Sequence, residues 1–124
     1  MITIKSWKTL KGMLIVAFHP KMIALAEWLT VRLSGIVFTS AYRPKKIHDK
    51  DSGIAATIPC RHLDIRSYIY LKPQMVVDDI NKNWIYDPKR PHLKCAKYHD
   101  VGKGVHIHLQ VHDRTEYLGG KERA

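Results

Sequence analysis

Apolar positions along the chain follow two periods. Met22, Leu25, Ala26, Leu29 and Leu33 recur at the i, i+3, i+4, i+7 spacing of a helix with one core-facing stripe. Pro20 stands at the start of this helix, where a missing N–H is tolerated, and Ser34-Gly35 supplies the stop. A second helix opens at Pro73, with its core face on Val76, Ile80 and Trp84. Elsewhere the period is two. Val105, Ile107, Leu109 and Val111 alternate with His106, His108 and Gln110, the signature of a half-buried strand. Ile36 to Tyr42 is a β-branched and aromatic run ended by Arg43-Pro44. Leu63 to Tyr70 and Leu93 to His99 read as two further strands. The second of these pairs with the histidine strand through the turn Asp100-Val-Gly-Lys-Gly104, as an antiparallel hairpin.

The remaining stretches connect these elements. Residues 1–18 are expected to form an N-terminal arm or strand, residues 45–59 a long polar loop, and residues 83–92 a turn-rich connector. Residues 116–124 read as a flexible basic tail. The order is helix, strand, loop, strand, helix, strand, strand. It predicts an α+β fold, a small antiparallel sheet packed with two helices, in one domain spanning residues 1–124.

The totals narrow the class. A hydrophobic content of 45% suits a globular chain rather than a disordered one. No apolar run reaches the length of a transmembrane helix. Met13 to Phe18 is too short for a signal-peptide core, lacks a small-residue cleavage site, and is read as part of the fold. Cys60 and Cys95 are too few for a disulfide scaffold and are read as reduced and partly buried, with one bridge between them left open. The net charge of +10 favours a polyanionic partner. The charge is dispersed and makes no single basic stripe, which argues against nucleic acid.

The histidine strand is the first candidate for chemistry. His106 and His108 share one face, about 7 Å apart at the standard strand rise. Imidazole is the commonest metal ligand and a base near neutral pH. The plainer reading is two surface histidines on an amphipathic strand. Asp64 is second. A carboxylate between Leu63 and Ile65 in a strand needs a cation or an ion-pair partner, either a metal shared with His108 or a salt bridge to Arg61 or Arg66. Arg43 ends its strand and is either a bidentate anchor for a substrate carboxylate or a surface arginine. His19, His92, His99 and His112 have no motif around them and read as surface or helix-start residues, and Trp7, Trp28 and Trp84 as anchors of the core or its edge.

Three segments in order, Phe38-Thr-Ser-Ala-Tyr-Arg-Pro44, Gly53 with Pro59-Cys-Arg-His-Leu-Asp-Ile-Arg66, and Val105-His-Ile-His-Leu-Gln110, resemble the zinc D-alanyl-D-alanine peptidases. That superfamily includes carboxypeptidases, phage endolysins and the hedgehog signalling domain, and the look here is of its small phage-encoded members. The resemblance covers roughly residues 20 to 112. It implies a zinc centre of two histidines and an aspartate, in which Asp64 and His108 are ligands. His106 then matches a catalytic-site residue, and Arg43, with Ser40 and Tyr42 beside it, faces the substrate. The chain departs from the family at the upstream zinc histidine, where Ala55 stands, and alanine cannot bind zinc. His62 occupies the family's small position two before the aspartate. Residues two apart share a face of a strand, so His62 or, from the long loop, His48 is a candidate third ligand.

Two function classes follow. One is a Zn2+-dependent peptidoglycan peptidase, endolysin-like or carboxypeptidase-like. It would be a monomer, cytoplasmic in the producing cell, that acts on the cell wall if phage-derived. The other is a non-catalytic basic module of the same fold, held to cell wall or nucleic acid by its lysines and arginines.

Overall fold

Strand β6 (Val105–Gln110) lies inside a five-stranded sheet and organises both faces of it. The computed structural model describes residues 2–15, 17–42, 54, 58–100 and 104–119. In chain order these form β1 (Ile2–Ile4), α1 (Trp7–Ile15), α2 (Pro20–Arg32), β2 (Ile36–Ser40), β3 (His62–Ile65), α3 (Pro73–Asn83), β4 (Trp84–Ile85), β5 (Ala96–Asp100), β6 and β7 (Glu116–Tyr117). The sheet order is β1-β2-β3-β6-β5, and β4 and β7 pair separately. The domain is α+β, and no described helix is long and apolar enough to cross a membrane.

Alternation along β6 decides the layers. Ile107, Leu109 and the following Val111 are fully buried on one face. They meet Ile36, Phe38, Leu63, Ile65 and Ala96 from the neighbouring strands in one core. Helix α2 closes that core with Met22, Leu25 and Leu29, and α3 closes it with Val77 and Ile80. Each of these side chains gains roughly 1.5–3 kcal/mol from leaving water. Pro20 is at the first turn of α2, and Gly35 past its end adopts φ +68°, a left-handed conformation that side-chain-bearing residues disfavour.

The sheet is mixed, not purely antiparallel. β1 runs parallel to β2, with Ile2 opposite Ile36 and Ile4 opposite Phe38. A parallel pair needs a long crossover, and α1 with α2 supplies it. There are three helices rather than two, because the expected N-terminal arm is a short strand followed by α1. In α1, Thr9 is buried and Met13 packs on the core, while Trp7 and Lys8 face solvent. Trp7, expected as an anchor, is 68% exposed; Trp28 and Trp84 do serve that purpose, stacked edge-on at 6.2 Å.

Two boundaries also differ from expectation. β3 stops at Ile65, where the backbone turns away, so Tyr68 is exposed rather than core-facing. Residues 116 and 117 are not tail. They pair with β4, and Tyr117 packs on Trp84 at 5.0 Å. Cys60 and Cys95 are both buried and unbridged.

Two polar clusters, around Asp87 and around His19, tie the periphery. Asp87 is buried and accepts hydrogen bonds from Arg114, Arg90 and the Lys89 N–H. Arg114 foremost, against the opposing effect of burial, holds its carboxyl well below the usual range. His19 caps α2, accepting from the Lys21 N–H through Nδ1 while its Nε2–H donates to Asp113 at 2.7 Å. The expectation that His19 stands at a helix start agrees with this position.

Candidate metal centre

The second face of β6 carries His106, His108 and Gln110, and the flanking strands add to it in register. On one side Asp64 lies opposite His108 and His62 opposite Gln110. On the other side His99 lies opposite His106. Directly opposed residues project from the same face, so four imidazoles and a carboxylate gather on one surface of three strands. A register shift between Phe38 and Ser40 in β2 then brings Ser40 opposite Asp64. The shift is the work of a bulge, which lets Phe38 enter the core while Ser40 joins the polar face.

Three ring nitrogens converge on one atom. Asp64 Oδ1 is 2.9 Å from His62 Nε2, 3.1 Å from His108 Nδ1 and 3.5 Å from His106 Nε2. The far nitrogen of each ring also faces an oxygen. His62 Nδ1 is 3.1 Å from Ala41 O, His108 Nε2 is 3.0 Å from Gln110 Oε1, and His106 Nδ1 is 3.2 Å from Gly104 O. Gln110 is itself fixed, because its amide N–H donates to Lys94 O at 2.8 Å.

This pattern constrains the protons. A neutral imidazole has one N–H, and each of these rings meets an acceptor at both nitrogens. If the outer nitrogens carry the protons, all three outer contacts are proper hydrogen bonds. Three lone pairs and a carboxylate then point at each other in a buried place, an arrangement that calls for a cation. His62 and His108 are 1% and 7% exposed and Asp64 8%. Burial works to raise the Asp64 carboxyl, but with the protons on the inner nitrogens instead, hydrogen bonds from His108 and His62 and their charge outweigh it and hold the group far below the usual range.

The donor set fits a small divalent ion. His62, Asp64 and His108 offer ligand atoms that lie within 4.8 Å of one another. Tetrahedral coordination with bonds of ~2.0–2.2 Å places ligand atoms about 3.4 Å apart. The two contacts to His62 and His108 need to open by only a few tenths of an ångström. Outer N–H donors to Ala41 O and Gln110 Oε1 are the orienting partners that metal-bound histidines use.

A cleft of about 420 Å³ adjoins the centre. It is lined by Asp64 and His106 of the centre, by Ser40 and Tyr42, and by Lys5, Lys8 and Arg66. Of the residues singled out from the sequence, Asp64, His62, His106 and His108 come together and Ser40 and Tyr42 flank them. Arg43, His48 and Ala55 lie outside the described residues. Neither Arg61 nor Arg66 pairs with Asp64 among the described residues; the three histidines do.

One participant was missed. His99, read as a surface residue without a motif, packs its ring on His106 at 5.0 Å and on His108 at 5.1 Å. Burial first, then His108 and His106, push its pKa down. The signal was in the hairpin: once Asp100 is set opposite Val105, counting back one residue puts His99 opposite His106.

Gln110 was seen only as an alternating polar residue, and its hold on His108 gives a direct expectation. If the centre holds a divalent ion, Gln110→Leu should weaken its binding about 10–100-fold, the usual effect of removing an orienting partner, with the circular dichroism spectrum unchanged. Competition against a chromophoric chelator measures it. No family model, curated protein or solved structure matches the chain.

Proposed function

We propose that the chain is a zinc-dependent hydrolase of amide bonds in the peptides of peptidoglycan, with His62, Asp64 and His108 as the metal ligands. The observation that carries the reading is the convergence of three ring nitrogens on Asp64 Oδ1 with every outer nitrogen facing an oxygen. In this reading His62 takes the place of the upstream histidine that is missing at Ala55. The class of bond comes from the resemblance to D-alanyl-D-alanine peptidases. The charge of +10 suits an anionic wall.

A zinc ion in such a set lowers the pKa of a bound water towards 7 and polarises a carbonyl. The residues of the chain do the rest. His106 stands between the centre and the cleft, with its Nδ1–H held by Gly104 O, so its Nε2 lone pair can take a proton from the attacking water and return it to the leaving amine. Lys5, Lys8 and Arg66 surround the cleft with positive charge that draws in carboxylates, while Tyr42 and Ser40 offer hydroxyls. Arg43 follows directly on Tyr42 and is assigned the substrate carboxylate.

One observation favours the second reading, a non-catalytic basic module. All three proposed ligands are nearly enclosed, and a catalytic zinc needs an open position. Elemental analysis and a peptide assay decide. The peptidase reading expects about one zinc per chain and chelator-sensitive release of D-alanine or cleavage of wall peptides. Stoichiometric zinc without hydrolysis would leave the binding module, and absence of zinc would sink the metal centre altogether.

A further inference from the structure

We propose that His99, His106 and His108 form a second, outer position for the same divalent ion, overlapping the inner one at His108. This inference rests on the metal reading above but concerns a ligand set that the reading does not use.

The geometry comes from the hairpin. His106 and His108 are two apart on β6 and so share a face, and His99 on β5 lies directly opposite His106. The three rings touch, with centroids 5.0 Å apart for His99 and His106 and 5.1 Å for His99 and His108. Their candidate ligand atoms fall within 4.8 Å of one another, the same limit as in the inner set. His99 makes no hydrogen bond among the described residues that would occupy its ring nitrogens, unlike His62, whose two nitrogens both face oxygens. A half-buried imidazole packed on two others without a polar partner has a lone pair available.

The two positions differ in chemistry and access. The inner set is buried and contains a carboxylate. The outer set is three imidazoles, and His99 and His106 are half-exposed. Three nitrogen donors without a carboxylate suit Zn2+, Ni2+ and above all Cu2+, not Mg2+ or Ca2+. Both sets use His108, so one chain holds one ion at a time, and the outer set offers an incoming ion a place to bind before Asp64 and His62 enclose it.

The test removes the inner set and then the outer one. His62→Ala is titrated with Zn2+ alone and with Cu2+ alone, and compared with His62→Ala/His99→Phe. Phenylalanine keeps a ring packed on His106 and His108 and removes both nitrogens. His62→Ala should still take one ion, with weakened zinc affinity. The double variant should lose at least about a further tenfold. Electron paramagnetic resonance of the Cu2+ form should show three nitrogen donors in His62→Ala and two in the double variant. Because His62 is buried, His99→Phe alone is measured as well, and should lower Cu2+ affinity in an otherwise intact chain. If His99→Phe changes neither affinity nor the number of nitrogens in either background, the outer position is overturned while the inner centre stands. A wild-type chain that binds no ion overturns both.

Discussion

His62→Ala should reduce zinc affinity by at least about 100-fold, beyond the 10–100-fold carried by residues that merely orient a ligand. The reason is geometric. His62 Nε2 is the shortest of the three contacts to Asp64 Oδ1, at 2.9 Å, and its Nδ1–H is already anchored on Ala41 O. Only an opening of that contact by a few tenths of an ångström is needed for it to bind a metal. The companion variant makes the result specific. Ala55→His alone should add little if His62 supplies the third ligand, as proposed. Ala55→His combined with His62→Ala should recover much of the lost affinity if the proposed peptidase reading holds, because position 55 is where the resemblance to the zinc D-alanyl-D-alanine peptidases puts the upstream ligand. If Ala55→His alone tightens zinc steeply and His62→Ala leaves it unchanged, the rescue by His62 is wrong. Isothermal titration with a competing chelator reads all four proteins.

Leu109→Ala should destabilise the domain by about 2–5 kcal/mol, the range for truncating a buried leucine. Leu109 is fully buried on β6, between Leu63 on one neighbouring strand and Ala96 on the other, so little can collapse into the space. The adjacent residue in the chain, His108, faces the metal centre. A metal bound there and the core would therefore hold the same strand. Zinc at 100 times its dissociation constant adds about 2.7 kcal/mol to a folded state that alone binds it. Thermal melts of Leu109→Ala should accordingly rise when zinc is added, and those of Leu109→Ala/His62→Ala at the same zinc concentration should rise far less. Equal shifts in the two would mean that zinc binds elsewhere.

The parts of this arrangement that the sequence displays are those set by short-range pattern. The α2 stripe of Met22, Leu25 and Leu29 follows from periodicity alone, as does the division of β6 into a core face and a histidine face. Asp64 was identifiable because a carboxylate in an apolar strand requires a partner. What escaped depends on contacts between distant segments. β1 has only three residues, and its parallel partner lies past two helices. The lysines of residues 5–11 obscured α1, whose inward side chains are as different as Thr9 and Met13. Trp7 is exposed because α1 presents its opposite side to the sheet. His62 stood out by its two-residue spacing from Asp64, whereas His99 joins the centre only through the pairing of β5 with β6.

That pairing has a consequence for folding errors. A slip of β6 by one residue against β3 or β5 would turn Ile107 and Leu109 towards water and drive His106 and His108 into the apolar core. The same slip would scatter the inner nitrogens that now meet at Asp64. An ion bound at this place would thus act as a proofreader of strand alignment, because only the correct pairing of β6 with β3 brings its ligands together. Newly made chains supplied with zinc would be sorted by that retention, the misaligned ones remaining open to exchange of their β6 amides while the aligned ones close.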